Sequence, residues 1–228
     1  MVVHLVTNEA ATPTTRLLRV ALDGAPYSYR AGQAASVSTE TGQHTPYSIA
    51  SAPYETAEGD FLQFLVKVDG STRFGSQVTA LSPGATVHVQ PPTGGFGLPP
   101  DAPKHPLLFI AGGTGIAPVR SMLMQAIHID KQHRPTLLFS ARSPDEFAFV
   151  NEFHALQDAG KLTLILTLTG NALEWQHARG RASRDQLAAL IAPEMLYFVC
   201  GPPAMVAEVP AMLVDLGVKD EQIRIERW

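Results

Sequence analysis

The stretch HPLLFIAGGTGIAPVRSML, residues 105–123, decides the reading of the whole chain. Residues 107–111 form a short, fully apolar run of the kind that makes a buried strand. The turn Gly112-Gly113-Thr114-Gly115 follows, and a helical stretch runs from there to about Ile129. Strand, glycine loop and helix start, in that order, are the context of a phosphate loop. Glycines let backbone N–H groups approach a pyrophosphate, and the helix N-terminus adds a favourable dipole. Pro118 suits a first helical turn, where its missing N–H costs nothing. Gly113, Thr114, Gly115 and Pro118 are therefore candidate dinucleotide-binding residues. A tight strand-to-helix turn with no ligand is the alternative, and G-x-G alone does not choose between the two.

Downstream the same rhythm repeats. Strand-like runs at 136–140, 162–169, 195–200 and 223–225 alternate with helical segments at 147–158, 185–191 and 204–216, which predicts a doubly wound parallel sheet. Upstream the period is shorter. Residues 1–6 read as a first strand, and runs at 17–22, 34–37, 61–68 and 86–89 are divided by turn signals at Asp23-Gly24, Ala31-Gly32, Asp69-Gly70 and Ser82-Pro83-Gly84. That spacing predicts a small antiparallel barrel or sandwich. Between the halves, residues 98–106 hold four prolines in nine positions and read as a linker. The expected division is 1–98, 99–106 and 107–228.

Composition removes several function classes. A chain of 228 residues, 45% hydrophobic and 17% charged, can bury a core without metal or disulfide help. Its one cysteine, Cys200, excludes a disulfide framework and a cysteine-ligated iron-sulfur or zinc site within these residues. A reducing, cytoplasmic setting is the expectation. The net charge of -4 and the lack of Lys/Arg runs argue against a nucleic-acid surface. Neither a basic leader nor an apolar stretch of bilayer length stands out, so no membrane insertion is expected. His128 and His133 lie off one helical face and HExxH does not occur, so no metal site is expected. The G-x-S-x-G elbow of a serine hydrolase is missing, and Asp145-Glu146 reads as a helix cap.

A Rossmann-type dehydrogenase closes its second strand with an acidic residue that holds the adenine ribose. Here that strand ends Phe139-Ser140-Ala141-Arg142, so the dinucleotide site is of another kind. Three more stretches bear on it: TPYSIASAP at 45–53, CGPPAM at 200–205 and IERW at 225–228. Together with GGTGIAP at 112–118, in this order and on these halves, they resemble the ferredoxin-NADP reductase superfamily over essentially the whole chain. The resemblance implies a six-stranded antiparallel barrel that binds a flavin, FAD or alternatively FMN, followed by a doubly wound domain that binds NADH or NADPH.

It also implies roles for particular residues. Tyr47 packs on the isoalloxazine, and the Ser48 hydroxyl hydrogen-bonds near flavin N5; Thr45, Ile49 and Ser51 belong to the same motif. Leu65, Val66 and Lys67 resemble the second flavin strand, and Gly75-Ser76 the pyrophosphate turn. Pro92-Thr93-Gly94-Gly95-Phe96 resembles the stretch that ends the barrel. Cys200, with Gly201, Pro202 and Met205, lies beside nicotinamide C4, where its thiol positions rather than attacks. Glu226 sits near the nicotinamide, and Trp228 covers the flavin face. Ser48, Cys200 and Glu226 are the catalytic candidates.

Two departures qualify the resemblance. Thr45 stands where relatives carry an arginine that pairs with a flavin phosphate, a loss worth about 1.5–3 kcal/mol of flavin binding. Arg73, just before Gly75-Ser76, is the candidate replacement. NADPH-selective relatives hold the 2'-phosphate with an arginine after the third strand of the second domain. Here that strand runs into Thr169-Gly170-Asn171, leaving Arg142, Arg179 and Arg181 as substitutes and favouring NADH.

The implied activity is hydride transfer from nicotinamide to flavin, then electron release to a separate acceptor protein: a ferredoxin, a flavodoxin or an oxygenase component. No fused ferredoxin domain is read from the chain. Two alternatives remain open, a reductase of free flavin, which Thr45 favours, and an electron-transfer subunit that turns over only inside a complex.

Overall fold

The computed structural model describes residues 1–39, 44–68, 70 and 72–227. The first half contains β1 (Val2–Thr12), β2 (Thr15–Ala21), β3 (Ala34–Ser38), β4 (Thr45–Ser48), β5 (Phe61–Lys67) and β6 (Thr86–Val89). They form one antiparallel sheet in the order β4-β3-β6-β1-β2-β5. Period-two burial drives it: Leu18 and Val20 of β2 point into the core, while Arg19 between them lies over the Phe61 ring. Asp23 and Gly24 both take positive φ, 52° and 75°, as the D-G signal requires. The sheet closes on itself where Ile49 bridges Phe64 and the Ala50 N–H donates to the Gln63 carbonyl at 2.8 Å. The barrel is therefore six-stranded, as expected.

Two short helices interrupt it, α1 (Pro53–Gly59) before β5 and α2 (Arg73–Val78) after it. Sequence periodicity had no place for either. α1 is held by its ends: the Glu55 carboxylate accepts from the Ala52 N–H at 2.6 Å, and Asp60 closes the helix at φ 56°.

The second half carries β7 (Leu107–Gly112), α3 (Ile116–Ile129), β8 (Thr136–Ala141), α4 (Val150–Asp158), β9 (Thr163–Leu168), β10 (Ala178–Arg179), α5 (Arg184–Ala188), β11 (Leu196–Gly201), α6 (Pro203–Asp215) and β12 (Ile223–Arg227). All strand pairs are parallel, in the order β10-β9-β8-β7-β11-β12. Every residue of β7 is buried, as befits a strand covered on both faces. The strand order reverses between β7 and β11, so a crevice opens beyond their C-terminal ends, the place where doubly wound sheets bind ligands. α4 begins at Val150 rather than the expected 147, because Phe149 sits at φ 61° and breaks the helical run. The two-residue β10 is a further strand that periodicity did not predict.

The halves share one apolar core. Ala31, Ala50, Leu65 and Phe96 of the barrel cluster with Phe109, Ile116, Met122, Phe198 and Cys200 of the second sheet. Residues 99–106 cross between the sheets with Ala102 fully buried in that cluster. Among the described residues, no helix is long and apolar enough to cross a membrane.

Candidate active site at the junction of the two sheets

The glycine loop after β7 has two jobs, and separate glycines do them. At Gly115 an added Cβ would stand 2.3 Å from the Cys200 carbonyl oxygen and 2.8 Å from the Gly201 nitrogen. At Gly201 it would stand 2.6 Å from the Met205 Sδ and 3.1 Å from the Gly112 nitrogen. These glycines lock the β7 loop against the end of β11. Gly113 is different: it has φ 55°, is exposed, and an added Cβ would meet nothing within 4 Å. The open space above Gly113, at the start of the fourteen-residue α3, is the part of the loop that fits a phosphate. Thr114 is half-buried beside it, and Pro118 lies buried in the first turn of α3.

At the crevice, parallel pairing sets Cys200 of β11 opposite Glu226 of β12. Cys200 is fully buried in the shared core, and Met205 of α6 is half-buried behind Gly201. Pro202 is exposed and caps α6. Burial pushes the Glu226 carboxyl above its ordinary value of 4.5. The folded state thus holds the proton more tightly than the unfolded chain. Stability linked to this group is fully present below the unfolded pKa and is lost as pH rises through the folded one. Glu226→Gln should therefore match wild type in urea melts at about pH 4 and exceed it at about pH 8. A stability difference that does not change with pH contradicts this.

On the barrel side, Ser48 ends β4 at 7% exposure, and its hydroxyl forms no hydrogen bond among the described residues. A hydroxyl without a protein partner on a residue of such low exposure is the observation that best fits a bound polar ring edge here. The half-buried Tyr47 shares a 2.6 Å hydrogen bond between its hydroxyl and that of Thr72, and its ring packs at 5.6 Å on Phe74. Ile49, Leu65 and Val66 are core residues, while Lys67 is exposed at the end of β5. Ser51 differs from Ser48: its oxygen accepts from the Gln63 N–H at 3.1 Å, inside a buried network with Tyr29 and Thr56. Its side chain is thus committed to the protein, and only its neighbours are available to a ligand.

Gly75 is buried against β5, where a Cβ would meet the Lys67 carbonyl at 2.4 Å; Ser76 is exposed on α2. Thr45 is half-buried at the start of β4. Arg73 opens α2, but its side chain lies outside the described residues, as does all of Trp228. Of the arginines expected near a 2'-phosphate, Arg179 donates to the carbonyls of Ala172 and Trp175, and Arg181 pairs with Glu208 at 3.0 Å. Arg142 is exposed at the end of β8.

Sequence reasoning passed over Arg120, Glu55 and Glu152, which meet in an ion cluster around the buried Arg120 guanidinium between the halves. The signal was present: Arg120 is the one strongly charged side chain in the apolar helix IAPVRSMLMQAIHI.

Residues 109–210 match the oxidoreductase NAD-binding domain family. The chain is 31% identical over 192 residues to ferredoxin-NADP reductase B of Sorangium cellulosum (strain So ce56), spanning 80% of this chain and 77% of that protein. It is 29% identical over 218 residues to reductase component 1 of the terephthalate 1,2-dioxygenase of Comamonas sp; there it spans 92% of this chain but 63% of that protein. In structure it is similar to the flavohem-like FAD/NAD-binding domain of nitric oxide dioxygenase from Vibrio cholerae O1 biovar El Tor, with a TM-score of 0.86 at 20% identity, covering 100% and 98% of the two chains. It is also similar to a ferredoxin-NADP+ reductase from Neisseria gonorrhoeae solved with FAD and NADP, with a TM-score of 0.82 at 22% identity, covering 99% and 97%. The chain belongs to the ferredoxin-NADP reductase superfamily, whose members are NAD(P)H-dependent flavoprotein oxidoreductases using FAD.

Proposed function

We propose that this chain takes a hydride from NADH or NADPH onto a flavin, FAD in the first instance, and passes electrons to a separate acceptor protein, an oxygenase component or a ferredoxin. The observation that carries the reading is the unpaired Ser48 hydroxyl on one side of the junction, with the Cys200–Glu226 pair on the other. The names of the Sorangium and Comamonas relatives support both kinds of acceptor. When bound, the two cofactors supply the electron chemistry, and the protein binds and aligns them.

The residues divide that work by position. The Gly113 opening and the start of α3 receive the dinucleotide phosphates, with Thr114 at their side. Ser48 donates to the flavin ring edge, Tyr47 supplies an aromatic wall, and the main chain of Leu65, Val66 and Lys67 runs along the same cofactor. Gly75 and Ser76 serve the flavin pyrophosphate, with Arg73 as its cation in place of the arginine that relatives carry at the Thr45 position. Cys200, buried near the end of β11, supports from below the turn against which the nicotinamide rests, and Glu226 accepts or holds a proton at its edge. Arg142, the exposed arginine at the end of β8, is the residue available to a 2'-phosphate.

Ser48→Ala tests the reading without disturbing the fold. Removing a hydroxyl that makes no hydrogen bond within the described residues should leave thermal stability unchanged or slightly raised, because no such bond is lost. Anaerobic bleaching of bound flavin by NADH should slow by about tenfold, equivalent to about 1.4 kcal/mol of barrier. An unchanged rate would remove Ser48 from the site.

Thr45 favours a second reading, in which loosely held flavin is itself the substrate. Desalting the protein distinguishes them: retained flavin supports the prosthetic role, whereas a colourless protein that bleaches added FAD supports the other.

A further inference from the structure

Among the described residues, Arg120 is the one buried side chain that carries a full charge, at 5% exposure. All five of its N–H donors are used. Nε and Nη2 donate to the two Glu152 oxygens at 2.6 Å each, and Nη1 and Nη2 to the two Glu55 oxygens at 2.9 Å each. The fifth bond runs from Nη1 to the Ala50 carbonyl at 2.9 Å. Burial works against the charge, but the bonds to Glu55 and Glu152 outweigh it and hold the guanidinium protonated. The Phe149 ring covers the cluster 5.2 Å from the guanidinium carbon, and Phe149 keeps the left-handed φ of 61° in doing so.

The cluster joins parts that nothing in the sequence connects. Arg120 belongs to α3, five residues after Gly115 of the dinucleotide loop. Ala50 lies two residues after Ser48. Glu55 belongs to α1 of the barrel, and Glu152 to α4 of the second sheet. The next residue repeats the grip, with the Ser121 hydroxyl donating to the Ser51 carbonyl at 2.7 Å. Farther along α3, Gln125 accepts from the Tyr54 N–H at 3.2 Å, and His128 stacks on the Tyr54 ring at 4.0 Å. One face of the helix that starts at the dinucleotide loop thus holds two consecutive carbonyls of the segment that carries Ser48.

We propose that Arg120 is a positioning residue: its five-bond fork fixes where the Ser48 segment stands relative to the glycine loop, and so sets the gap between the two cofactor rings. The inference rests on the flavin reading above. Cohesion alone would not call for this device, since well-packed apolar side chains commonly hold an interface as well as a buried ion cluster. A planar fork fixes direction as well as attraction. Direction matters here because a displacement of about 1 Å between reacting groups can slow a reaction about a hundredfold.

The test compares Arg120→Met, Arg120→Lys and Ser121→Ala with wild type in two assays. The first is hydrogen exchange of residues 48–52 on the protein with no nucleotide added. The second is anaerobic bleaching of FAD across a range of NADH concentrations. In Arg120→Met, exchange at 48–52 should rise about tenfold or more while β1, β2 and β8 keep their protection. The limiting bleaching rate should fall about ten- to a hundredfold, with half-saturating NADH unchanged within about twofold. Arg120→Lys should recover melting temperature more fully than rate, because an ammonium keeps the charge and loses the fork. If Arg120→Met does not fold, Arg120→Lys and Ser121→Ala decide by the same readouts. A rate that survives the loss of the fork overturns the proposal, as does a rate that merely follows global stability across the variants. Failure of wild type to bleach FAD would instead sink the flavin reading, and the exchange data would then judge the Arg120 clamp alone.

Discussion

Gly115→Ala should destabilise the protein by about 3 kcal/mol, more than any other single methyl added to the glycine loop. The backbone itself does not demand glycine there, since φ -59° and ψ -11° are ordinary helical values. The effect is one of space alone. The new Cβ would be 2.3, 2.6 and 2.8 Å from three atoms, all of them backbone atoms of Cys200 and Gly201. No side chain can swing aside, so the loop must lift off the end of β11. Gly113→Ala meets the opposite conditions, open space but φ 55°, and should cost about 1 kcal/mol of conformational strain. Urea denaturation of both variants checks the order. Equal losses, or a larger loss at Gly113, would mean that the loop does not pack on β11 as described.

Glu55→Ala should cost a similar amount, about 3 kcal/mol. Glu55 is three-way bonded: it holds Arg120 with both oxygens and caps α1 through the Ala52 N–H. Its removal leaves a buried guanidinium with one carboxylate instead of two and opens the first turn of α1. Glu55→Gln keeps an acceptor for the Ala52 N–H and should lose less. Glu208→Ala is the control. Its partner Arg181 sits at 3.0 Å, but the two side chains are 65% and 50% exposed, so the loss should stay under about 1 kcal/mol. Thermal melts of the three variants test the ranking, and a Glu208 effect as large as that of Glu55 would contradict it.

These contrasts show which features could be read from the chain. Strands announce themselves by short-range pattern, so β3 and β6 fall within a residue of their expected bounds, and the change of period after the proline-rich stretch marks the change of sheet. α1 and α2 carry too few apolar positions to show a stripe; barrel closure and capping bonds create them. Phe149 could not be foreseen as a helix boundary, because a phenylalanine carries no signal for a left-handed backbone.

The glycine loop was legible as a loop, but its letters do not say which glycine packs and which stays open. Only the positions of Cys200 and Met205 separate those roles. Ser48 and Ser51 look alike in TPYSIASAP, yet barrel closure commits the Ser51 hydroxyl to the Tyr29 network and gives the Ser48 hydroxyl no partner among the described residues. The Arg120 cluster joins residues 32 and 65 positions away, a spacing that no local pattern reports.

The most direct measurement is the visible absorption spectrum of the purified protein, supplied with FAD if it emerges colourless, before and after anaerobic NADH or NADPH. Flavin bands that bleach on addition of either nucleotide are the predicted result. Flavin bands that neither nucleotide bleaches, whether the flavin is bound or added, would contradict the account.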